Sequence, residues 1–237
     1  MAFAGKHGRR RKRATGAGLI ELNGHNTDEQ GGRIAIFTAS AIGYVDYPEA
    51  LYARSLAWGL HERGHTVRML EERRNPTLRR TLEAVGSGAS RHIYEAFPGV
   101  LIHSFEPRSG APLMEWIARE LSLVDLAIAI DGLPDEVARW IANLDHRDLT
   151  RAFLTYRPDD LTDERAGELE LERYDRIFAT SQPVASVRWE PLKISIAEQD
   201  AATIDSQYLP SVPEGLSATG NEVARSLEAI IPANIRR

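Results

Sequence analysis

Short apolar runs recur along the chain between residues 33 and 180. Between them lie longer stretches in which apolar positions return with helical spacing. The first run, Arg33-Ile34-Ala35-Ile36-Phe37-Thr38, has no polar alternation and reads as a central strand buried on both faces. A loop of small and polar residues from Ser40 to Tyr47 follows, and Pro48 stands where the first turn of a helix tolerates it. Leu51, Leu56 and Leu60, with Ala53, Ala57 and Trp58, give that helix an apolar face up to Arg63. Gly64 is placed to close it as a left-handed cap, and His65 to Leu70 is the next strand. Connections this short imply a right-handed crossover and a parallel pair.

The alternation continues. Pro76–Val85 reads as a helix, Gly86-Ser87-Gly88 as an interruption and Ala89–Phe97 as a second short helix. Val100–Phe105, Val124–Ile130, Ala152–Tyr156 and Arg176–Thr180 read as strands. Pro112–Leu121, Pro134–Asn143 and Thr162–Tyr174 are the intervening helices. About six strands alternating with helices predict an α/β domain. Its expected form is a doubly wound parallel sheet with helices on both faces. The pattern loosens after Ser181. Gln182–Pro191 reads as a loop, Leu192–Ile196 as a short strand, Pro210–Gly220 as turn-rich, and Asn221–Ile230 as a final helix. The expected organisation is a basic disordered tail over 1–30, the α/β domain over 31–181, and a C-terminal extension over 182–237 that packs back on it.

Charge sharpens this division. Residues 1–30 carry six Lys/Arg against three Asp/Glu, whereas the rest of the chain carries 23 against 31. The acidic body disfavours a nucleic-acid-binding core. The basic cluster from Lys6 to Arg13 suits either weak contact with nucleic acid or anionic lipid, or simple solvation. The absence of cysteine removes disulfides, thiolate nucleophiles and cysteine zinc sites, and agrees with a reducing, cytoplasmic setting. No apolar run is long enough to span a membrane. No cofactor is indicated, and no pair of His and carboxylates has metal-ligand spacing.

Two segments carry a family resemblance. Leu60-His61-Glu62-Arg63-Gly64-His65-Thr66-Val67, set between the first helix and the second strand, resembles the opening of GT-B-type glycosyltransferases. Leu171-Glu172-Arg173-Tyr174-Asp175-Arg176-Ile177-Phe178-Ala179-Thr180-Ser181 is similar to the last strand of the same N-terminal, acceptor-side domain. The resemblance covers about residues 33–181. It implies a Rossmann-like domain, sugar transfer from a nucleotide donor to a hydroxyl, and a ligand crevice between the first and fourth strands. In that family a second domain usually binds the sugar nucleotide. Only 56 residues follow Ser181, too few for such a domain. The donor site is therefore expected from a partner protein or a homodimer. The alternative is a non-catalytic binding or scaffold protein that keeps the fold.

That crevice selects the candidate residues. Ser40, Gly43, Tyr44 and Asp46 follow the first strand, and Asp131 and Gly132 follow the fourth. His103 ends the third, and Tyr156 and Arg157 end the fifth. Asp131 or Asp46 is the candidate base for an acceptor hydroxyl. Asp131 has a competing reading as the cap of the helix from Pro134, and Asp46 shares that ambiguity before Pro48. The Ser40–Gly43 turn either offers backbone N–H groups to a phosphate or sugar or is an ordinary tight turn. It lacks the three glycines of a dinucleotide fingerprint. His103 is a base candidate or a structural side chain, and Arg157 a phosphate ligand or a solvated loop residue. His61 and His65 belong to packing at the helix end.

Overall fold

The computed structural model describes residues 31–43, 49–86, 91, 97–106 and 109–191 of the chain. In chain order these are β1 (Arg33–Thr38), α1 (Glu49–Glu62), β2 (Thr66–Glu72), α2 (Pro76–Val85), β3 (Leu101–Phe105), α3 (Ala111–Leu121) and β4 (Leu126–Ile130). Then follow α4 (Asp135–Asn143), β5 (Thr150–Thr155), α5 (Asp163–Glu168), β6 (Arg176–Ala179) and β7 (Glu190–Pro191). The strands form one parallel sheet in the order β3-β2-β1-β4-β5-β6-β7. The chain works outward from β1 in one direction, then returns and works outward in the other. The reversal falls between β1 and β4, the switch point at which open α/β sheets leave a crevice.

The apolar runs are continuous because both faces of the sheet are covered. Ile34 and Ile36 face a layer built from Ala53, Leu56, Ala57 and Leu60 of α1 and Leu78 of α2. Ala35 and Phe37 face the opposite layer, which holds Leu113, Trp116 and Ile117 of α3 and Val137, Ala138 and Ile141 of α4. Alternate residues of one strand thus serve two separate cores.

The turn after α1 forms as its sequence predicts. Gly64 has φ +89°. Its N–H donates to the His61 carbonyl at 2.9 Å, and the His65 N–H donates to the Leu60 carbonyl at 3.2 Å. This paired arrangement is a Schellman cap, whose left-handed position favours glycine.

Two expectations change. The helix expected over Thr162–Tyr174 breaks after Glu168, with Glu170 at φ +53° and a 3-10 turn at Leu171–Arg173. Leu169 and Leu171 are both buried. A continuous helix turns residues two apart toward different faces, so the break lets both leucines reach the core. Thr162 still caps the shortened helix, accepting from the Arg165 N–H at 3.2 Å. The segment expected as a loop over Gln182–Pro191 adds the two-residue β7, paired with β6 through Phe178–Glu190 and Ala179–Pro191. Local pattern does not signal so short a strand; it depends on β6 being there to pair with. Upstream of it, the Ala185 N–H donates to the Leu161 carbonyl at 2.7 Å and the Ser186 N–H to Asp163 Oδ1 at 2.6 Å. The start of the C-terminal extension therefore lies back on the domain.

The tail over 1–30, the strand over 192–196 and the helix over 221–230 lie outside the described residues. So does the helix over 89–97, apart from Arg91 and Phe97. Among the described residues, no helix is long and apolar enough to cross a membrane.

Candidate functional site at the sheet switch point

The loop leaving β1 forms one wall of the crevice. It is held by two charged side chains that sequence reading did not select. Glu71, at the carboxyl end of β2, is fully buried. Its Oε2 accepts from the N–H groups of Ala41 at 2.8 Å and Ile42 at 3.1 Å, and from the Ser40 hydroxyl at 3.3 Å. Its Oε1 accepts from the Ser104 hydroxyl at 3.3 Å. Arg54 of α1, 3% exposed, donates through Nη1 to the carbonyls of Ala41 at 2.8 Å and Ile42 at 3.2 Å. Its guanidinium carbon also lies 5.9 Å from the centroid of the Phe97 ring. A carboxylate thus takes the N–H groups of two residues while a guanidinium takes their carbonyls. Such satisfaction is what lets loop backbone lie buried.

Ser40 and Gly43 complete the wall. The Gly43 N–H donates to Ser40 Oγ at 2.8 Å. A Cβ at Gly43 would stand 2.7 Å from the Leu78 nitrogen and 2.8 Å from the Thr77 carbonyl carbon. Glycine is required there because the loop passes directly over the backbone at the start of α2. The N–H groups of Ala41, Ile42 and Gly43, expected as donors to a phosphate or sugar, are engaged with Glu71 and Ser40. Tyr44 and Asp46 lie outside the described residues.

Asp131 leaves β4 on the other side of the switch point, partly buried. It does not cap α4: the residue at the cap position is Pro134, with no side-chain hydrogen bond. Instead Asp131 Oδ1 accepts from the Gly132 N–H at 2.9 Å, and Oδ2 accepts from the Thr155 hydroxyl at 2.9 Å. Thr155 Oγ1 in turn accepts from the Arg157 N–H at 3.1 Å. The exits of β4 and β5 are therefore tied together with the carboxylate at their junction. Tyr156, which follows, stacks on Tyr52 of α1 with ring centroids 4.7 Å apart. Asp131, Gly132, Tyr156 and Arg157 thus come together at adjacent strand exits. His103 does not join them. It lies in the middle of β3, exposed, and two strands from β1.

An ion pair borders this wall. Arg165 of α5 grips Asp135, in the first turn of α4, with both terminal nitrogens at 2.6 and 2.5 Å. The Arg165 hydrogen bond holds the Asp135 carboxyl below its usual value of 3.8. Partial burial opposes that shift and the charge of Arg165 adds to it. A carboxyl depressed in the folded state stabilises that state above its ordinary value, and the contribution disappears as pH falls through the lower native one. Asp135→Asn is therefore expected to lie below the wild type in urea midpoint at about pH 6, with the gap closing toward about pH 2. A gap unchanged by pH would show that the pair's charge does not contribute.

The residues behind the family resemblance have structural partners. His65 Nδ1 accepts from the Gly32 N–H at 2.9 Å, and Val67 is core. The Tyr174 hydroxyl donates to the Ala138 carbonyl at 2.8 Å, and burial pushes its phenol well above the usual range. Asp175 binds the Arg151 N–H at 2.8 Å and its guanidinium at 3.2 and 3.3 Å, tying β6 to β5. Asp125 does the same to Arg33, tying β4 to β1. A cleft of about 530 Å³ opens near Arg151, lined by Asn143, Asp145, His146, Arg147 and Asp175. It lies at the amino ends of the strands, away from the switch point, and the Arg151 guanidinium in it is committed to Asp175 and to the carbonyls of Ala142 and Leu144.

No protein-family model and no curated protein matches this sequence. A functional reading therefore rests on the crevice itself. Sequence reasoning missed Glu71, Arg54 and Thr155, although two of them leave a signal. Arg54 interrupts the apolar face of α1, three residues before Ala57 and four after Ala50. Glu71 follows an unbroken strand without a turn residue between. Thr155 carries no such mark.

Proposed function

We propose that this chain is the acceptor-side domain of a GT-B-type glycosyltransferase, acting in the cytoplasm and holding a hydroxyl-bearing acceptor in the β1–β4 crevice. The observation that carries the reading is Asp131, a carboxylate at the exit of β4 held in orientation by Gly132 and Thr155. In the reaction, the acceptor oxygen forms a bond to the anomeric carbon of the sugar as the bond to the nucleotide phosphate breaks. Asp131 accepts the proton that the acceptor hydroxyl loses. Gly132 and Thr155 keep its oxygens aimed, so that little reorganisation is needed at that step. Asp46 is the second candidate for that role. The nucleotide-sugar site is supplied by a partner chain or a second copy.

A second reading, a binding protein without transfer, is favoured by one observation. The N–H groups of Ala41, Ile42 and Gly43 are already bonded inside the protein, so they do not meet developing charge on a ligand.

Thermal shift against simple glycans, nucleotides and nucleotide sugars separates these readings. A glycan at 100 times its Kd is expected to stabilise the wild type by about 2.7 kcal/mol, roughly 5–10 °C for a domain of this size. On the transferase reading, Asp131→Ala loses most of that shift while keeping its unliganded midpoint within a few degrees. A full shift retained in Asp131→Ala favours the binding protein. Silence of every glycan and nucleotide sugar sinks the acceptor reading.

A further inference from the structure

The β1–α1 turn of doubly wound domains is the place where a bound pyrophosphate meets backbone N–H groups. Here the turn already holds an anionic group. Glu71 reaches it from β2, fully buried, and its Oε2 lies within 3.3 Å of three donors from Ser40, Ala41 and Ile42. Four donors to one carboxyl group, two of them backbone N–H, is the pattern of an ionised carboxylate. The Ser40 hydroxyl is free to give its proton to Glu71 because its oxygen takes the Gly43 N–H. Arg54 fixes the carbonyl side of the same residues, so the loop cannot turn its N–H groups elsewhere without breaking those bonds.

We propose that Glu71 is a built-in substitute for a ligand anion, which bars phosphate groups from the β1 wall of the crevice and restricts that wall to uncharged or cationic ligands. A phosphate arriving there would find its donors taken and a like charge buried behind them. The β1 wall therefore accepts an uncharged or cationic ligand, and the nucleotide part of any donor binds elsewhere. This rests on the crevice being the ligand site, but its test reads the loop itself and so fails separately from sugar transfer.

The test is a titration of the full chain with inorganic pyrophosphate, followed through the amide resonances of Ala41 and Ile42 and through the melting midpoint. In the wild type neither amide should move and the midpoint should stay fixed. Glu71→Ala leaves the donors empty. Pyrophosphate at ten times its Kd should then raise the midpoint of the variant by roughly 3–6 °C, with both amides shifting. Should Glu71→Ala fold only when an anion is added, that rescue supports the proposal equally. If it does not fold at all, Glu71→Gln carries the test. This variant keeps an acceptor oxygen and loses the charge, and is expected to bind pyrophosphate at least about tenfold more tightly than the wild type. Saturable movement of the wild-type Ala41 and Ile42 amides overturns the proposal. So does a folded Glu71→Ala that ignores pyrophosphate, or a Glu71→Gln no tighter than the wild type.

Discussion

Arg54→Met is expected to cost about 3–5 kcal/mol, the largest loss foreseen for any side chain of the β1–α1 wall. Methionine fills much of the same space, so little water should enter where the guanidinium lay. The carbonyls of Ala41 and Ile42 lose the donor that now reaches them at 2.8 and 3.2 Å. Each buried carbonyl left without a partner costs about 1–3 kcal/mol. The Glu71 carboxylate keeps its own donors, the Ala41 and Ile42 N–H groups, so the loss falls on the carbonyl side of the same two residues. Urea denaturation checks this: the midpoint should fall while the slope stays unchanged, because the surface exposed on unfolding is the same. Arg54→Lys should recover part of the loss, since an ammonium keeps the charge and has donors for both carbonyls. A loss below about 1 kcal/mol for Arg54→Met would mean that the loop does not depend on the guanidinium.

The second large effect lies across the sheet. Phe37→Ala is expected to cost about 3–5 kcal/mol and to lower the midpoint by roughly 6–20 °C. Phe37 is fully buried on β1. It meets Trp116 edge-on with ring centroids 6.2 Å apart, and Trp116 stacks on Phe105 at 4.6 Å. Removing the ring leaves a cavity bounded by the sheet and α3, elements held by many other contacts and so unable to collapse into it. Phe37→Leu should cost less, because it keeps most of the volume. Scanning calorimetry on the three proteins is the check. If the alanine variant melts within a degree or two of the wild type, the layer under α3 is not the close-packed core described above.

The parallel sheet was legible because its cause is local. A strand covered on both faces must be apolar throughout, and Ile34-Ala35-Ile36-Phe37 and Leu126-Ala127-Ile128-Ala129-Ile130 declare this in the chain itself. The cap at Gly64 was equally plain, since a helix end and a left-handed residue lie within a few positions of each other. The exit residues Asp131, Gly132, Tyr156 and Arg157 could be chosen once the strands were known, because strand ends define the crevice.

What the sequence could not decide depends on partners distant along the chain. His103 looked eligible beside its strand until the sheet order put β3 two strands from β1. Asp131 had a nearby helix to cap, but Thr155, 24 residues on, took its carboxylate. The helix after Thr162 breaks so that Leu169 and Leu171 can share one core, and β7 exists only because β6 offers it an edge. Most of all, the loop after β1 reads in the sequence either as a phosphate cradle or as a tight turn, whereas in the fold the N–H groups of Ala41 and Ile42 are taken by Glu71, about thirty residues later. Periodicity records which positions are buried. Which hydrogen-bond donor a buried carboxylate meets is set by the order of the strands, and only the tertiary structure contains that.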